Sequence, residues 1–179
     1  MDNSEIIQAL KDCDAIRFGD FTLASGQKSN FYIDIKKAST DPKTLKIIAD
    51  HIACLLPSVT DTPASEIIIG GVELGGVPIA TAVSLSTQCP LLIIRKAAKE
   101  YGTKSRYVGV PDAGKEIILM EDVTTSGGSV KKAIAALQED GADIRKVITI
   151  VDRESGAAAA LKELGVELVP LVSSSELIE

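Results

Sequence analysis

The fold is decided by Glu116-Ile-Ile-Leu-Met-Glu-Asp-Val-Thr-Thr-Ser-Gly-Gly-Ser129, where an apolar run ends in two acids and a turn rich in hydroxyl groups and glycine. Residues 117–120 are predicted to form a buried strand of a parallel sheet. Apolar residues from Val130 to Leu137 then recur at helical spacing. The turn therefore joins a strand to a helix, as in an α/β sheet.

The turn has the properties of an anion site. The start of a helix carries unpaired N–H groups and a partial positive charge, and Gly127 and Gly128 let an anion approach the main chain. The turn lacks the lysine of the G-x-x-x-x-G-K-[ST] loop and does not give G-x-G-x-x-G. Glu121 and Asp122, at the end of the strand, can accept hydrogen bonds from sugar hydroxyls.

These features together resemble the loop that binds 5-phosphoribosyl-1-pyrophosphate (PRPP) in the type I phosphoribosyltransferases. The resemblance implies that Glu121 and Asp122 hold the 2′ and 3′ hydroxyls of the ribose. It implies that the loop that follows holds the 5′-phosphate, with the residues Val123, Thr124, Thr125, Ser126, Gly127, Gly128 and Ser129. The alternative is a solvated strand end followed by an ordinary helix cap.

Length and composition fit one α/β domain over residues 1–179. Apolar residues make up 45% of the chain and aromatic residues 3%, which indicates a core of aliphatic side chains and alanine. The resemblance implies the type I phosphoribosyltransferase fold, a central mostly parallel sheet flanked by helices with a small N-terminal hood. A net charge of −6 argues against nucleic-acid binding, and a cytoplasmic location without membrane insertion is expected.

A second signature begins at Phe21-Thr-Leu-Ala-Ser-Gly-Gln-Lys-Ser-Asn-Phe-Tyr32. Two short runs with β-type residues flank a polar turn, so residues 16–36 are expected to form a hairpin or hooked loop. The segment resembles the hood of those members of the family that use orotate. The resemblance implies orotate contacts from Lys28, Tyr32 and Ile33, beside Ser25 and Gly26. Ala24 departs from the pattern, because a lysine that contacts phosphate often stands there.

A second glycine-rich turn follows the predicted strand at residues 66–69. Its sequence is Gly70-Gly-Val-Glu-Leu-Gly-Gly-Val-Pro78, and a helix is expected after it. Two such turns at the carboxyl edge of one parallel sheet face a shared crevice. The resemblance implies that this turn carries the pyrophosphate of PRPP on backbone amides, with Leu74 and Gly75 in the loop. Gly75 replaces a lysine of several bacterial relatives. A tight structural connection is the alternative.

A cationic segment follows the predicted strand Leu91–Ile94, with five cations among the twelve residues Arg95-Lys-Ala-Ala-Lys-Glu-Tyr-Gly-Thr-Lys-Ser-Arg106. Its glycine and lack of apolar periodicity predict a mobile loop at about residues 97–109. The resemblance to the family's catalytic loop implies a pyrophosphate clamp of Arg95, Lys96 and Lys99, and it makes Lys99 and Asp122 the catalytic residues. Tyr101 stands at a position of this PRPP site where many relatives have histidine. A solvated charge run is the alternative.

The strand predicted at Val147–Val151 ends in Asp152-Arg153-Glu154. The resemblance implies that Arg153 binds the carboxylate of orotate, for which a bidentate guanidinium is well suited, and that Thr125 also contacts orotate. An arginine between two acids is otherwise a routine surface salt bridge.

The resemblance as a whole implies transfer of phosphoribose from PRPP to orotate in pyrimidine biosynthesis. Mg²⁺ would be bound mainly through PRPP, with no metal ligands assigned to the protein. A homodimer would share the active-site loop between its subunits. Two alternatives remain at this point. The base could be a purine or uracil, or the chain could be a PRPP-sensing regulator that binds nucleic acid without catalysis.

Overall fold

A computed structural model describes residues 3–22, 28–97 and 105–177. Eight strands occur in these residues: β1 (Ile16–Thr22), β2 (Lys28–Ile33), β3 (Ile67–Val72), β4 (Leu91–Ile94), β5 (Tyr107–Val108), β6 (Glu116–Thr124), β7 (Asp143–Asp152) and β8 (Glu167–Ser173). The α-helices there are α1 (Ser4–Asp12), α2 (Ile35–Thr40), α3 (Pro42–Val59), α4 (Gly76–Thr87), α5 (Gly128–Glu139) and α6 (Ala157–Lys162). A short 3₁₀-helix covers Ala64–Glu66.

Strands β3 to β8 form the central sheet in the order β5-β4-β3-β6-β7-β8. All neighbouring pairs are parallel except β4 and β5. The parallel strands β3, β4, β6 and β7 end at the same edge of the sheet, so the turns that leave them are brought together there. The central position of β6 places the segment Glu121–Ser129 in the middle of that edge.

Helices cover both faces of the sheet. On β6, Ile118 and Met120 pack into one hydrophobic cluster, which includes residues of α3 and α4, and Ile117 and Leu119 pack into another, which includes residues of α5. A strand buried on both faces needs apolar residues at consecutive positions, which explains the uninterrupted apolar run at residues 117–120. The predicted α/β fold with helices flanking a mostly parallel sheet is confirmed.

The N-terminal hairpin forms a separate sheet in which β1 and β2 run antiparallel, with Ile16 opposite Ile33. Ile33 and Ile35, at the end of the hairpin, belong to the main core, so the hood is fixed to the domain at its base. The prediction of a hairpin in this region is confirmed.

The predicted element boundaries differ from the structure in three places. Asp41-Pro42 predicts the start of a helix, and Pro57 the start of a loop that extends to Ser65. Helix α3 does begin after Asp41, whose carboxylate accepts from the Thr44 N–H at 2.8 Å, but it continues past Pro57 to Val59. The short helix α2 was not predicted. The loop predicted at residues 97–109 was given too late an end, because Tyr107 and Val108 form strand β5, which pairs with β4. Within the described residues, no helix has the length and apolar content to span a membrane.

Candidate active site

A cavity of about 550 Å³ opens where β3, β4 and β6 end. Of the residues that the structure describes, four cationic ones line it, Arg95, Lys96, Arg106 and Lys132. The turn Thr125–Ser129 forms another part of the wall. Among the described lining residues, Glu121 is the acidic one. The shape and charge of this cavity suit an anionic ligand of moderate size.

The turn between β6 and α5 presents free backbone donors. Gly127 lies at the N-cap of α5 with φ of 75°, a left-handed conformation that glycine adopts without strain, and no N-cap side chain bonds the amides of the first helical turn. The first backbone bond of the helix runs from the Lys131 N–H to the Gly127 carbonyl oxygen at 2.9 Å. The amides before Lys131 are therefore available to an anion, which argues against the alternative of a side-chain-capped helix.

Thr124 differs from the other residues of the predicted phosphate loop. It is the last residue of β6, it is buried, and its hydroxyl donates to Asp152 Oδ1 at 2.9 Å. The hydroxyl is thus engaged in joining the ends of β6 and β7. The exposed part of the loop begins at Thr125.

The two adjacent acids occupy different environments. Glu121 borders the cavity, and its Oε2 is buried without a hydrogen-bond partner in the described parts of the chain. Burial, and after it the negative charge of Asp122, raise the pKa of Glu121 to about 8 against the opposing effect of Lys96. An unpartnered buried carboxyl oxygen is costly, so this atom is suited to accept a hydrogen bond from a ligand.

Asp122 lies where the two glycine-rich turns meet. Its Oδ1 accepts from the Val123 N–H at 2.8 Å, and its carboxylate lies so close to Gly75 that a Cβ on Gly75 would overlap it. The next residue, Gly76, packs equally closely on the Met120 carbonyl oxygen. Glycine at position 75 therefore makes room for Asp122, and a lysine there would displace the carboxylate from its present place.

The predicted pyrophosphate turn follows β3 and leads into α4. Gly75 is the N-cap of α4 and supplies no side-chain cap, Leu74 is exposed, and the Glu73–Leu74 peptide is cis. Gly75 touches Asp122, but neither Leu74 nor Gly75 is among the described residues that line the cavity. The turn thus borders the site from the side of Asp122.

The two ends of the cationic segment are fixed to the sheet. The Arg95 N–H donates to the Arg106 carbonyl oxygen at 2.9 Å, and the Lys96 N–H donates to Glu73 Oε2 at 3.1 Å. The Tyr107 hydroxyl donates to Asp140 Oδ2 at 2.6 Å. Lys99 and Tyr101 lie outside the described residues.

Arg106 and Lys132 line the cavity, although neither was predicted as a site residue from the sequence. Arg106 is the last residue of the cationic segment that begins at Arg95. Lys132 lies in the second turn of α5, four residues after Gly128, and a cation so near the start of the helix that follows a phosphate-type turn is a signal that could have identified it.

Arg153 follows β7 directly beside the phosphate-type turn. Its N–H donates to the Thr124 carbonyl oxygen at 2.9 Å, and the Ala157 N–H donates to the Thr125 carbonyl oxygen at 3.1 Å. The two acids next to Arg153 have other partners, since Asp152 accepts from Thr124 and Glu154 accepts from serines after β8. The routine salt bridge considered for Arg153 is not found within the described chain.

The hood residues are placed unequally for contact with a ligand. Lys28 is exposed, and the Tyr32 ring is partly exposed with its centroid 5.6 Å from that of Phe21. The Ile33 side chain is buried in the core, so Ile33 can offer a ligand its backbone and not its side chain. The predicted positions Ala24, Ser25 and Gly26 lie outside the residues that the structure describes.

Comparison with protein families gives a match over residues 43–164 to the family described as the phosphoribosyl transferase domain. Among curated proteins, the orotate phosphoribosyltransferase of Methanosarcina mazei is 60% identical over 176 residues, which cover 98% of this chain and 91% of the relative. Further archaeal relatives carry the same name.

Solved structures give the same result. Mycobacterium tuberculosis orotate phosphoribosyltransferase in complex with PRPP superposes with a TM-score of 0.75 at 25% identity, covering 100% of both chains. Leishmania donovani UMP synthase superposes with a TM-score of 0.80 at 28% identity over 99% of this chain. The chain spans 38% of the length of that synthase. The chain therefore has the type I phosphoribosyltransferase fold.

Proposed function

We propose that this chain, which belongs to the phosphoribosyltransferase family, transfers the 5-phosphoribosyl group from PRPP to orotate, giving orotidine 5′-monophosphate and pyrophosphate in pyrimidine biosynthesis. The observation that carries the proposal is the meeting of the two glycine-rich turns at Asp122, beside a cavity with four cationic side chains. A cytosolic location belongs to the same proposal, since the three cysteines are free thiols.

PRPP carries phosphates at both ends of a ribose, and the site offers matching groups in the same order. The amides and hydroxyls of Thr125–Ser129 would receive the 5′-phosphate at the start of α5. Glu121 and Asp122 would accept hydrogen bonds from the ribose hydroxyls, and the buried Oε2 of Glu121 would gain the partner that it lacks. The pyrophosphate would lie toward Gly75 and the cations that follow β4.

The reaction breaks the bond between C1 of the ribose and the pyrophosphate oxygen, while N1 of orotate forms a new bond to C1 and gives up its proton to the leaving pyrophosphate or to water. Negative charge develops on the leaving pyrophosphate, and Arg95, Lys96 and Lys99 would stabilise it. Positive charge develops on the ribose, where Asp122 would stabilise it. No protein nucleophile is required, because positioning and electrostatic stabilisation are sufficient to lower the barrier.

Mg²⁺ fits this site as an ion held by PRPP. Its preferred ligands are oxygen atoms, it commonly binds through substrate phosphates, and the described cavity wall carries mostly cations rather than a set of carboxylates. The phosphates of PRPP would therefore supply its ligands. The ion neutralises part of the charge on the pyrophosphate, and the protein's own cations do the rest.

Orotate differs from other pyrimidine bases in its carboxylate, which requires a cationic partner. Arg153 is adjacent to the phosphate turn through its backbone bond to Thr124 and has no ion pair in the described chain. A guanidinium can bind a carboxylate through two parallel hydrogen bonds. Thr125, the exposed Tyr32 ring, Lys28 and the backbone at Ile33 would complete the base pocket.

Replacing Arg153 with alanine is expected to raise KM for orotate by about 10- to 100-fold, because a charged hydrogen bond contributes about 1.5–3 kcal/mol. The KM for PRPP should change much less. Steady-state kinetics with each substrate varied in turn measures both values. Arg145→Ala is the matched control, since Arg145 is an exposed arginine that pairs with Asp143 at the other end of β7. Equal effects on the two substrates would contradict the assignment of Arg153.

The proposal includes a homodimer in which the cationic loop of one subunit serves the active site of the other. At an orotate concentration well below the KM of Arg153→Ala, both Lys99→Ala and Arg153→Ala should be nearly inactive, and mixing them under conditions that allow subunit exchange should then restore activity. Because Lys99 of one subunit would serve the site that holds Arg153 of the other, both changes fall in the same site of the mixed dimer and its second site is intact, so random exchange of equal amounts gives about one quarter of wild-type activity. Activity measured before and after exchange tests this. A mixture that remains inactive, while native mass spectrometry shows mixed dimers, would indicate that both residues serve the active site of their own chain.

The nearest competing function is transfer to another base, since PRPP recognition is shared across the family. The test is the loss of orotate absorbance with PRPP and Mg²⁺, run in parallel with adenine, hypoxanthine and uracil. The proposal predicts turnover with orotate and little or none with the other three. Preferred turnover of a purine or uracil would reject orotate as the substrate while leaving the PRPP site in place.

A further inference from the structure

The segment between β7 and α6 has an unusual anchor in Glu154. This residue has φ of 53°, a left-handed conformation that is uncommon for residues other than glycine. Two main-chain bonds beside it join the segment to the phosphate-type turn, from Arg153 N–H to Thr124 and from Ala157 N–H to Thr125. The conformation of residue 154 therefore determines how the chain leaves Arg153 and returns to that turn.

The Glu154 carboxylate binds the turn that follows β8. Its Oε2 accepts from the Ser174 hydroxyl and from the Ser175 N–H, both at 2.9 Å, and its Oε1 accepts from the Ser175 hydroxyl at 3.2 Å. These hydrogen bonds hold the pKa of Glu154 below its usual value. The carboxylate is thus satisfied by the serines and not by the neighbouring Arg153.

The turn that holds Glu154 is itself fixed. The Ser174 N–H donates to the Asp152 carbonyl oxygen at 2.8 Å, and Glu176 accepts from the N–H and the hydroxyl of Ser173 at 2.7 and 2.8 Å. Asn3 also donates to Glu176 at 3.3 Å, which connects the turn to the start of α1. Glu154 is therefore attached to a well-supported part of the protein.

We propose that Glu154 is a positioning residue for orotate, which through its bonds to Ser174 and Ser175 holds Arg153 ready for the substrate carboxylate. The inference rests on the proposed function. An acid adjacent to an arginine is the nearest group able to pair with it, and such a pair would compete with the substrate. Instead, Ser174 and Ser175 hydrogen-bond Glu154, and the buried Thr124 hydroxyl hydrogen-bonds Asp152, so both acids next to Arg153 have other partners. Arg153 is thereby left for a ligand, and its backbone is held in one place.

The test compares Glu154→Gly with Glu154→Gln. Glycine adopts a φ of 53° without strain, so Glu154→Gly removes the carboxylate without adding backbone strain. We expect KM for orotate to rise about tenfold in Glu154→Gly, with kcat and the KM for PRPP within about twofold of wild type, because loss of preorganisation weakens one contact. Glu154→Gln should recover most of the loss, since its amide oxygen can accept the two bonds that Oε2 accepts from Ser174 and Ser175, and its NH₂ group can donate to the Ser175 hydroxyl oxygen.

The double variant Ser174→Ala/Ser175→Ala checks the partner side. It should raise KM for orotate more than Glu154→Gly does, because it removes two of the three hydrogen bonds that hold a charged Glu154 away from Arg153. Adding Glu154→Gly to this double variant should bring the KM back to that of Glu154→Gly alone. Additive effects of the serine and glutamate changes would overturn the proposal.

Arg153→Ala, measured in parallel, separates this inference from the proposed function. If Arg153→Ala raises KM for orotate and Glu154→Gly leaves it unchanged, the positioning role is wrong and the orotate assignment stands. If Glu154→Gly raises both KM values and lowers Tm together, Glu154 is a scaffold residue and the inference is overturned. If Arg153→Ala leaves the KM for orotate unchanged, the assignment of Arg153 fails first and the inference fails with it.

Discussion

Replacing Lys99 with alanine is expected to lower kcat by about 10²- to 10³-fold, while KM for orotate changes little. Removal of a single group that stabilises developing negative charge has effects of this size in other enzymes. The expectation follows from the resemblance of the cationic segment, residues 95–106, to the family's catalytic loop. It also follows from the positions of Arg95, Lys96 and Arg106, which stand at the two ends of this segment and line the cavity. Steady-state and single-turnover rates with PRPP and orotate measure the effect.

Lys43→Ala is the matched control for Lys99→Ala. Lys43 is exposed in the first turn of α3 and is not among the described residues that line the cavity, so its replacement removes the same charge outside the site. Lys99→Ala with near-normal turnover would reject Lys99 as the main stabiliser of the leaving group. A similar loss in both variants would indicate that overall charge, and not a contact with pyrophosphate, sets the rate.

The second large effect is expected for Asp122. Replacing Asp122 with asparagine should lower kcat/KM for PRPP by about 100-fold near pH 7, because on the proposed mechanism it weakens hydrogen bonds to the ribose and removes the charge that would face the developing oxocarbenium ion. Glu121→Gln should cost less at the same pH, since a Glu121 with a pKa of about 8 is largely neutral before PRPP binds. Losses of the opposite order at pH 7 would contradict these different roles.

The pH dependence gives the same comparison a second measurement. In wild type, kcat/KM for PRPP should rise as pH passes through about 8, because Glu121 then loses its proton and both of its oxygens accept hydrogen bonds. Glu121→Gln should lack this rise. Asp122→Asn should move the rise to lower pH, because the charge of Asp122 is the second cause of the raised pKa of Glu121. An unchanged profile in both variants would exclude Glu121 as its source.

The sequence was sufficient to predict the elements that the active site is built on. The uninterrupted apolar run before Glu121 required a strand buried on both faces, and the glycines after it required a close main-chain approach to a helix start. The structure confirms both, with β6 in the centre of the sheet and Gly127 at φ of 75°. Because parallel strands end at one edge, the second glycine-rich turn also had to lie near the first.

Contacts between residues far apart in the chain could not be predicted in the same way. Nothing in the local pattern indicates that the Asp122 carboxylate lies on Gly75, or that Thr124 is occupied by Asp152. The bonds from Ser174 and Ser175 to Glu154 depend on the pairing of β8 with β7. Strand β5 was missed because two residues are too few for a periodic pattern, and its pairing with β4 determines it.

On the proposed function, the two glycine-rich turns that meet at Asp122 bind one PRPP molecule between them. A crystal structure of the protein with PRPP and Mg²⁺ is the most direct test. The account predicts the 5′-phosphate on the amides of Thr125–Ser129, the ribose hydroxyls on Glu121 and Asp122, and the pyrophosphate beside Gly75. Density that places the 5′-phosphate away from the start of α5, or the pyrophosphate away from the turn at Gly75, would contradict it.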